Sequence, residues 1–70
     1  MRGTVKSFNP ANRYGFIESE TGEIHFFYAT EWHLIMKPKK GLVVEFTPVE
    51  VDKGMRATNI QRIRRVHHAK

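Results

Sequence analysis

Two short aromatic runs, Arg13-Tyr14-Gly15-Phe16-Ile17 and Ile24-His25-Phe26-Phe27-Tyr28, lie on either side of a Thr21-Gly22 turn. Both are rich in the residue types that strands favour, and the turn between them makes a hairpin the natural reading. Side chains of a strand alternate between two faces. In the first run Tyr14 and Phe16 therefore share one face, with Gly15 and Ile17 on the other. In the second, Ile24 and Phe26 share a face, and His25 and Phe27 take the opposite one. Turning Ile17, Ile24 and Phe26 inward as core leaves Tyr14, Phe16, His25 and Phe27 as flat rings in the open. Such a patch is unfavourable in a soluble monomer unless something binds there. Lys6 and Arg13 interleave it with positive charge.

At 70 residues the chain has room for one small domain and no second core,. A barrel closed around Ile17, Ile24, Phe26, Val44 and Phe46 offers no further interior for the remaining rings. With no cysteine, neither disulfides nor thiolate metal sites can brace the fold, which fits a reducing compartment,. No stretch approaches the ~18 apolar residues of a membrane span, and the N-terminus lacks the layout of a signal peptide. A cytoplasmic monomer without membrane contact is the expectation.

The formal charge of +5 is unevenly placed. Residues 1 to 60 carry eight Lys or Arg against seven acids, while Arg62, Arg64, Arg65 and Lys70 follow with no acid beyond Asp52. A nearly neutral body cannot hold a polyanion by bulk attraction, so any such binding rests on local arrangement and stacking. The basic end adds only a salt-sensitive contribution that ignores sequence.

Turn signals divide the rest into strands, with no convincing helix. Gly3 to Asn9 precedes the turn Asn9-Pro10-Ala11-Asn12,. Arg13 to Glu20 and Glu23 to Tyr28 form the hairpin, and Ala29 to Lys40 is a long connection holding Trp32, Pro38 and three lysines. Leu42 to Val51 reads as a strand with Val44 and Phe46 inward and with Pro48 marking an edge or bulge. Asp52-Lys53-Gly54 is a hairpin turn leading to Met55–Arg62, whose core residues are Ala57 and Ile60,. Five short strands at this spacing predict a small barrel. Residues 1–61 form the domain, and 62–70 a basic C-terminal tail expected to be disordered.

Gly3-Thr4-Val5-Lys6, Phe8-Asn9, Tyr14-Gly15-Phe16-Ile17, the aromatic second run, and Lys53-Gly54 followed by Ala57, Asn59 and Ile60 together resemble the cold-shock domain. The likeness runs from about Arg2 to Ile60 in the family's order and spacing. It implies an all-β, five-stranded antiparallel OB-fold barrel that binds single-stranded RNA or DNA across its first three strands. Carried over residue by residue, it places Lys6, Phe8, Tyr14, Phe16, His25, Phe27 and Tyr28 on the binding face. Lys53, Met55 and Arg56 fall where the last loop and strand touch the nucleic acid, and Arg13 keeps the cation of a family lysine one residue displaced. Several positions depart from the pattern. Ser7 stands where the family usually has a tryptophan, His25 then Phe27 reverses a phenylalanine-then-histidine order, and Met55 replaces a proline.

An enzymatic reading finds little support. His67 and His68 adjoin in the tail, and His25 and His33 stand apart with no thiolate partner, so no metal site is expected,. Glu18 and Glu20 share a strand face but have no nucleophile or phosphate cradle beside them, and they read as the end of the binding face. No catalytic residue and no cofactor are assigned. Trp32 either anchors the long connection or touches ligand. The favoured function is single-strand binding by stacking plus phosphate contacts from Lys6, Arg13, Lys53 and Arg56, as in an RNA chaperone or regulator with weak sequence preference. The alternative is a protein-interaction OB module, such as the N-terminal domain of a longer polypeptide.

Overall fold

The computed structural model describes residues 1–63; the disorder expected for the tail falls, from residue 64 on, outside the described residues. Five strands, β1 (Arg2–Asn9), β2 (Tyr14–Ser19), β3 (Ile24–Tyr28), β4 (Val43–Val51) and β5 (Gly54–Arg62), close into a barrel in the order β1-β2-β3-β5-β4. Neighbours run antiparallel except at the β3–β5 seam, where His25 faces Met55 and Phe26 faces Arg56 in parallel. A single 3-10 turn, Ala29–Glu31, follows β3. Among the described residues no helix is long and apolar enough to cross a membrane.

The loop between β2 and β3 decides which side of each strand faces inward. The Ser19 N–H donates to Glu23 O at 2.7 Å, and the Gly22 N–H to Ser19 O at 2.9 Å. The loop is thus three residues long, Glu20-Thr21-Gly22, with Gly22 at φ 93° in the left-handed position that such a loop requires,. This register sets Tyr14 opposite Tyr28, Gly15 opposite Phe27, Phe16 opposite Phe26 and Ile17 opposite His25. Cross-strand partners share a face. A two-residue Thr21-Gly22 loop would slip the pairing by one and turn every side chain of β3 over.

The expected faces of β3 are therefore corrected. His25 and Phe27 are 0% exposed in the interior, whereas Ile24 is 51% exposed and Phe26 is half-buried on the outer side. Gly15 makes the room that Phe27 needs: a Cβ there would lie 2.3 Å from Ser7 O, 2.9 Å from Phe8 Cα and 3.1 Å from Phe27 Cε1. Phe27 stacks between Phe8, at 5.8 Å, and Trp32, at 5.7 Å. The same register carries His25 inward, edge-on to Phe46 at 5.0 Å, where neither ring nitrogen has a hydrogen-bond partner.

Core pairs spaced three residues apart mark two bulges. Val5 and Phe8 both pack inward because the β1–β2 register shifts between Val5 and Ser7, leaving Lys6 as the extra residue. Ala57 and Ile60 both reach the core because the β4–β5 register shifts between Glu45 and Thr47, with Asn59 at φ 52° absorbing the extra residue,. Val44 and Phe46 complete the interior as their alternation implies. Pro48 lies beyond the stretch of β4 that pairs with β1, so its missing N–H interrupts no ladder there,.

Two outcomes test this packing. A buried polar group without a partner costs about 1–3 kcal/mol, so His25→Val, a β-branched side chain, raises the unfolding free energy by roughly 1–2 kcal/mol in urea titration. Gly15→Ala drives a methyl into backbone atoms and lowers stability by about 3 kcal/mol or more, an overpacking cost at the high end of its range. A neutral Gly15→Ala would contradict the close approach of β1 and β2.

Candidate nucleic-acid interface

The outer side of the β2–β3 hairpin carries four rings. Tyr14 and Phe16 on β2 meet edge to face with centroids 5.5 Å apart. Phe26 and Tyr28 on β3 do the same at 5.6 Å, and Tyr14 leans toward Tyr28 across the strands at 6.3 Å. These contacts hold the rings in fixed orientations, so a ligand need not order them. With Lys53 from the β4–β5 turn, they line a cleft of about 390 Å³. Phe16 and Tyr28 keep 36% and 39% of their surface exposed, enough for a flat ligand to stack on.

Beside this cleft the β1 bulge turns both Lys6 and Ser7 outward. Ser7 faces Phe16 across the strands, and its small side chain leaves a notch of about 300 Å³ that Asn12, Tyr14 and Phe16 also line. The turn below is held by Asn9, whose Oδ1 accepts the N–H groups of Ala11 at 2.9 Å and Asn12 at 3.3 Å,. Arg13 closes that turn at φ 59°, exposed at the rim.

The cations differ in what surrounds them. Lys6 Nζ lies 3.2 Å from Glu18 Oε1, both half in solvent. Arg56 Nη2 donates to Glu31 Oε2 at 3.2 Å, and its guanidinium lies 5.0 Å over the Tyr28 ring,. The other oxygen of Glu31 accepts the Asn59 N–H at 3.0 Å, so one carboxylate from the 3-10 turn ties down both the bulge of β5 and the arginine beside the rings. Among the described residues, Arg13 and Lys53 have no ion-pair partner.

Of the residues singled out in the sequence, Tyr14, Phe16 and Tyr28 stand on the ring face, with Lys6, Arg13, Lys53 and Arg56 around it. His25 and Phe27 do not: their rings are enclosed, and an enclosed ring cannot present a stacking surface. Phe8 is half-buried against Phe27 at the barrel edge and borders the notch. Met55 is half-buried on β5 opposite His25. Trp32 anchors the long connection, its Nε1 donating to Met36 O at 2.6 Å and its ring stacked on Phe27. Phe26 is the ring that sequence reasoning placed in the core. Tyr28, two residues further on, carried the signal for it, since residues i and i+2 share a face.

A closed five-stranded barrel with an aromatic, cation-bordered outer face is an oligonucleotide-binding fold of the kind that stacks bases on exposed rings. The family model of the 'Cold-shock' DNA-binding domain matches residues 1–63, and the chain belongs to this family of nucleic-acid-binding domains.

Glu31 supplies a check on this arrangement. Glu31→Ala leaves the Asn59 N–H and Arg56 without their acceptor and lowers stability by about 1–2 kcal/mol. Glu31→Gln, whose amide oxygen still accepts from Asn59, recovers most of that loss in thermal or urea unfolding.

Proposed function

We propose that this protein binds single-stranded RNA or DNA, with bases stacked on Phe16, Phe26, Tyr14 and Tyr28 and phosphates near Arg13, Lys53, Lys6 and Arg56. The observation that carries this reading is the ring quartet itself: four aromatic side chains oriented by one another on the outside of a barrel whose interior is already filled. Stacking contributes about 1–3 kcal/mol per base, set against the loss of freedom in an ordered strand. The balance is roughly micromolar affinity. Binding of that strength suits a cytoplasmic RNA chaperone or regulator that unpairs weak structure and lets go, with weak sequence preference and no chemical step.

Titration with a pyrimidine-rich strand of about six nucleotides, followed by backbone amide shifts, tests the reading. Saturable shifts are expected on β2 and β3 at Tyr14, Phe16, Phe26 and Tyr28. Phe16→Ala and Phe26→Ala each weaken binding about five- to a hundredfold while the barrel stays folded. Phe27→Ala instead acts on the fold, lowering stability by roughly 3–5 kcal/mol. A titration with no shifts would sink the proposal and leave a protein partner as the ligand of the ring face.

A further inference from the structure

Two of the four cations around the rings are already matched by carboxylates of the chain itself, Lys6 by Glu18 at 3.2 Å and Arg56 by Glu31 at 3.2 Å. We infer that Glu18 and Glu31 act as built-in competitors of the nucleic-acid backbone, so that the face holds bases firmly and phosphates loosely. The inference rests on the single-strand reading above and concerns how that same site is tuned.

Salt distinguishes a free cation from one already paired. When an unpaired lysine meets a phosphate, a condensed counterion leaves the strand, and each such contact contributes about −0.7 to the slope of log K against log salt for single strands. A lysine handed over from a carboxylate is different. The phosphate loses its counterion, but the vacated carboxylate attracts one from solution, and the two events nearly cancel. Only cations with no internal partner then register in the slope, and of the four around the rings these are Arg13 and Lys53. Neither competitor is rigidly locked. The Lys6–Glu18 pair is half exposed and worth little as a bond,. Glu31 is better held, because its second oxygen stays on the Asn59 N–H whether or not Arg56 leaves. A phosphate can therefore displace either carboxylate without unravelling the barrel.

The geometry also links this device to stacking. Arg56 sits over one face of Tyr28, and its Nε has no hydrogen-bond partner. While Glu31 holds the guanidinium, that side of Tyr28 is covered. A phosphate that draws Arg56 outward exposes more of the ring to a neighbouring base.

The measurement is the salt dependence of affinity for one oligouridylate of about six nucleotides, by fluorescence anisotropy of a labelled strand, on the intact chain. The two unpartnered cations beside the rings contribute about −1.4 to the wild-type slope, and the basic end of the chain adds an increment common to every variant, so the readout is the difference from wild type. Glu18→Gln and Glu31→Gln each steepen the slope by about 0.7 and tighten low-salt binding about three- to tenfold. Glu45→Gln, whose carboxylate pairs with Arg2 at 4.0 Å away from the rings, leaves the slope unchanged and controls for loss of negative charge as such. In a Lys6→Met background the effect of Glu18→Gln disappears, because the cation it masks is gone; this readout separates local competition from the general field. Slopes unaltered in both Gln variants, or an undiminished Glu18→Gln effect in the Lys6→Met background, overturn the inference while leaving single-strand binding standing. Absence of binding by every variant overturns both.

Discussion

The length of one hairpin loop governs the chemistry of the whole outer surface. Strand side chains repeat every two residues, so the parity of the pairing across β2 and β3 fixes which set of rings is enclosed and which is offered outward. Three residues from Glu20 to Gly22, closed by the Ser19–Glu23 and Ser19–Gly22 hydrogen bonds, select the parity that buries Phe27. The gap over Gly15 receives that ring, and the stack from Phe8 through Phe27 to Trp32 makes the choice energetically firm. His25 is carried along at a cost, since its nitrogens find no partner inside. A register that encloses an unsatisfied imidazole is tolerated because turning β3 over would expose Phe27 and break the stack.

The two bulges do for β1 and β5 what the loop does for the hairpin. In a regular strand, residues three apart point in opposite directions. Val5 with Phe8 and Ala57 with Ile60 would each lose one member to solvent without an extra residue between them. On β1 that extra residue is Lys6, which places a cation and the small Ser7 side by side at the edge of the rings. On β5 it is Asn59, whose freed N–H is claimed by Glu31. Core packing at one point thus dictates electrostatics at another.

Much of this fold was legible in the sequence. The five strands, the turns at Asn9–Asn12 and Asp52–Gly54, and the core positions Val44, Phe46, Ala57 and Ile60 follow from alternation and turn chemistry, and the motifs resembling the cold-shock domain named the fold. Tyr14 and Phe16 were legible as outward rings by alternation, and Tyr28 only through the resemblance. The faces of β3 were not. Ile24-His25-Phe26-Phe27-Tyr28 is so uniformly hydrophobic that either face makes a plausible core, and hydrophobicity favours enclosing Ile24 and Phe26 over His25. Only the loop geometry breaks the tie, and Glu20-Thr21-Gly22 reads equally well as a two- or three-residue turn. The partners of Lys6 and Arg56 were hidden for another reason: Glu18, 12 residues on, meets Lys6 only through the β1–β2 register and its bulge, and Glu31 meets Arg56, 25 residues on, only where β5 joins β3.

Trp32 is the sole indole of the chain, and it stacks against the enclosed Phe27 ring rather than among the outward quartet. Its emission is accordingly a gauge of whether the barrel is shut. Optical traces of unfolding read cleanly from that one chromophore, whereas occupancy of the outer rings speaks through the two tyrosines instead.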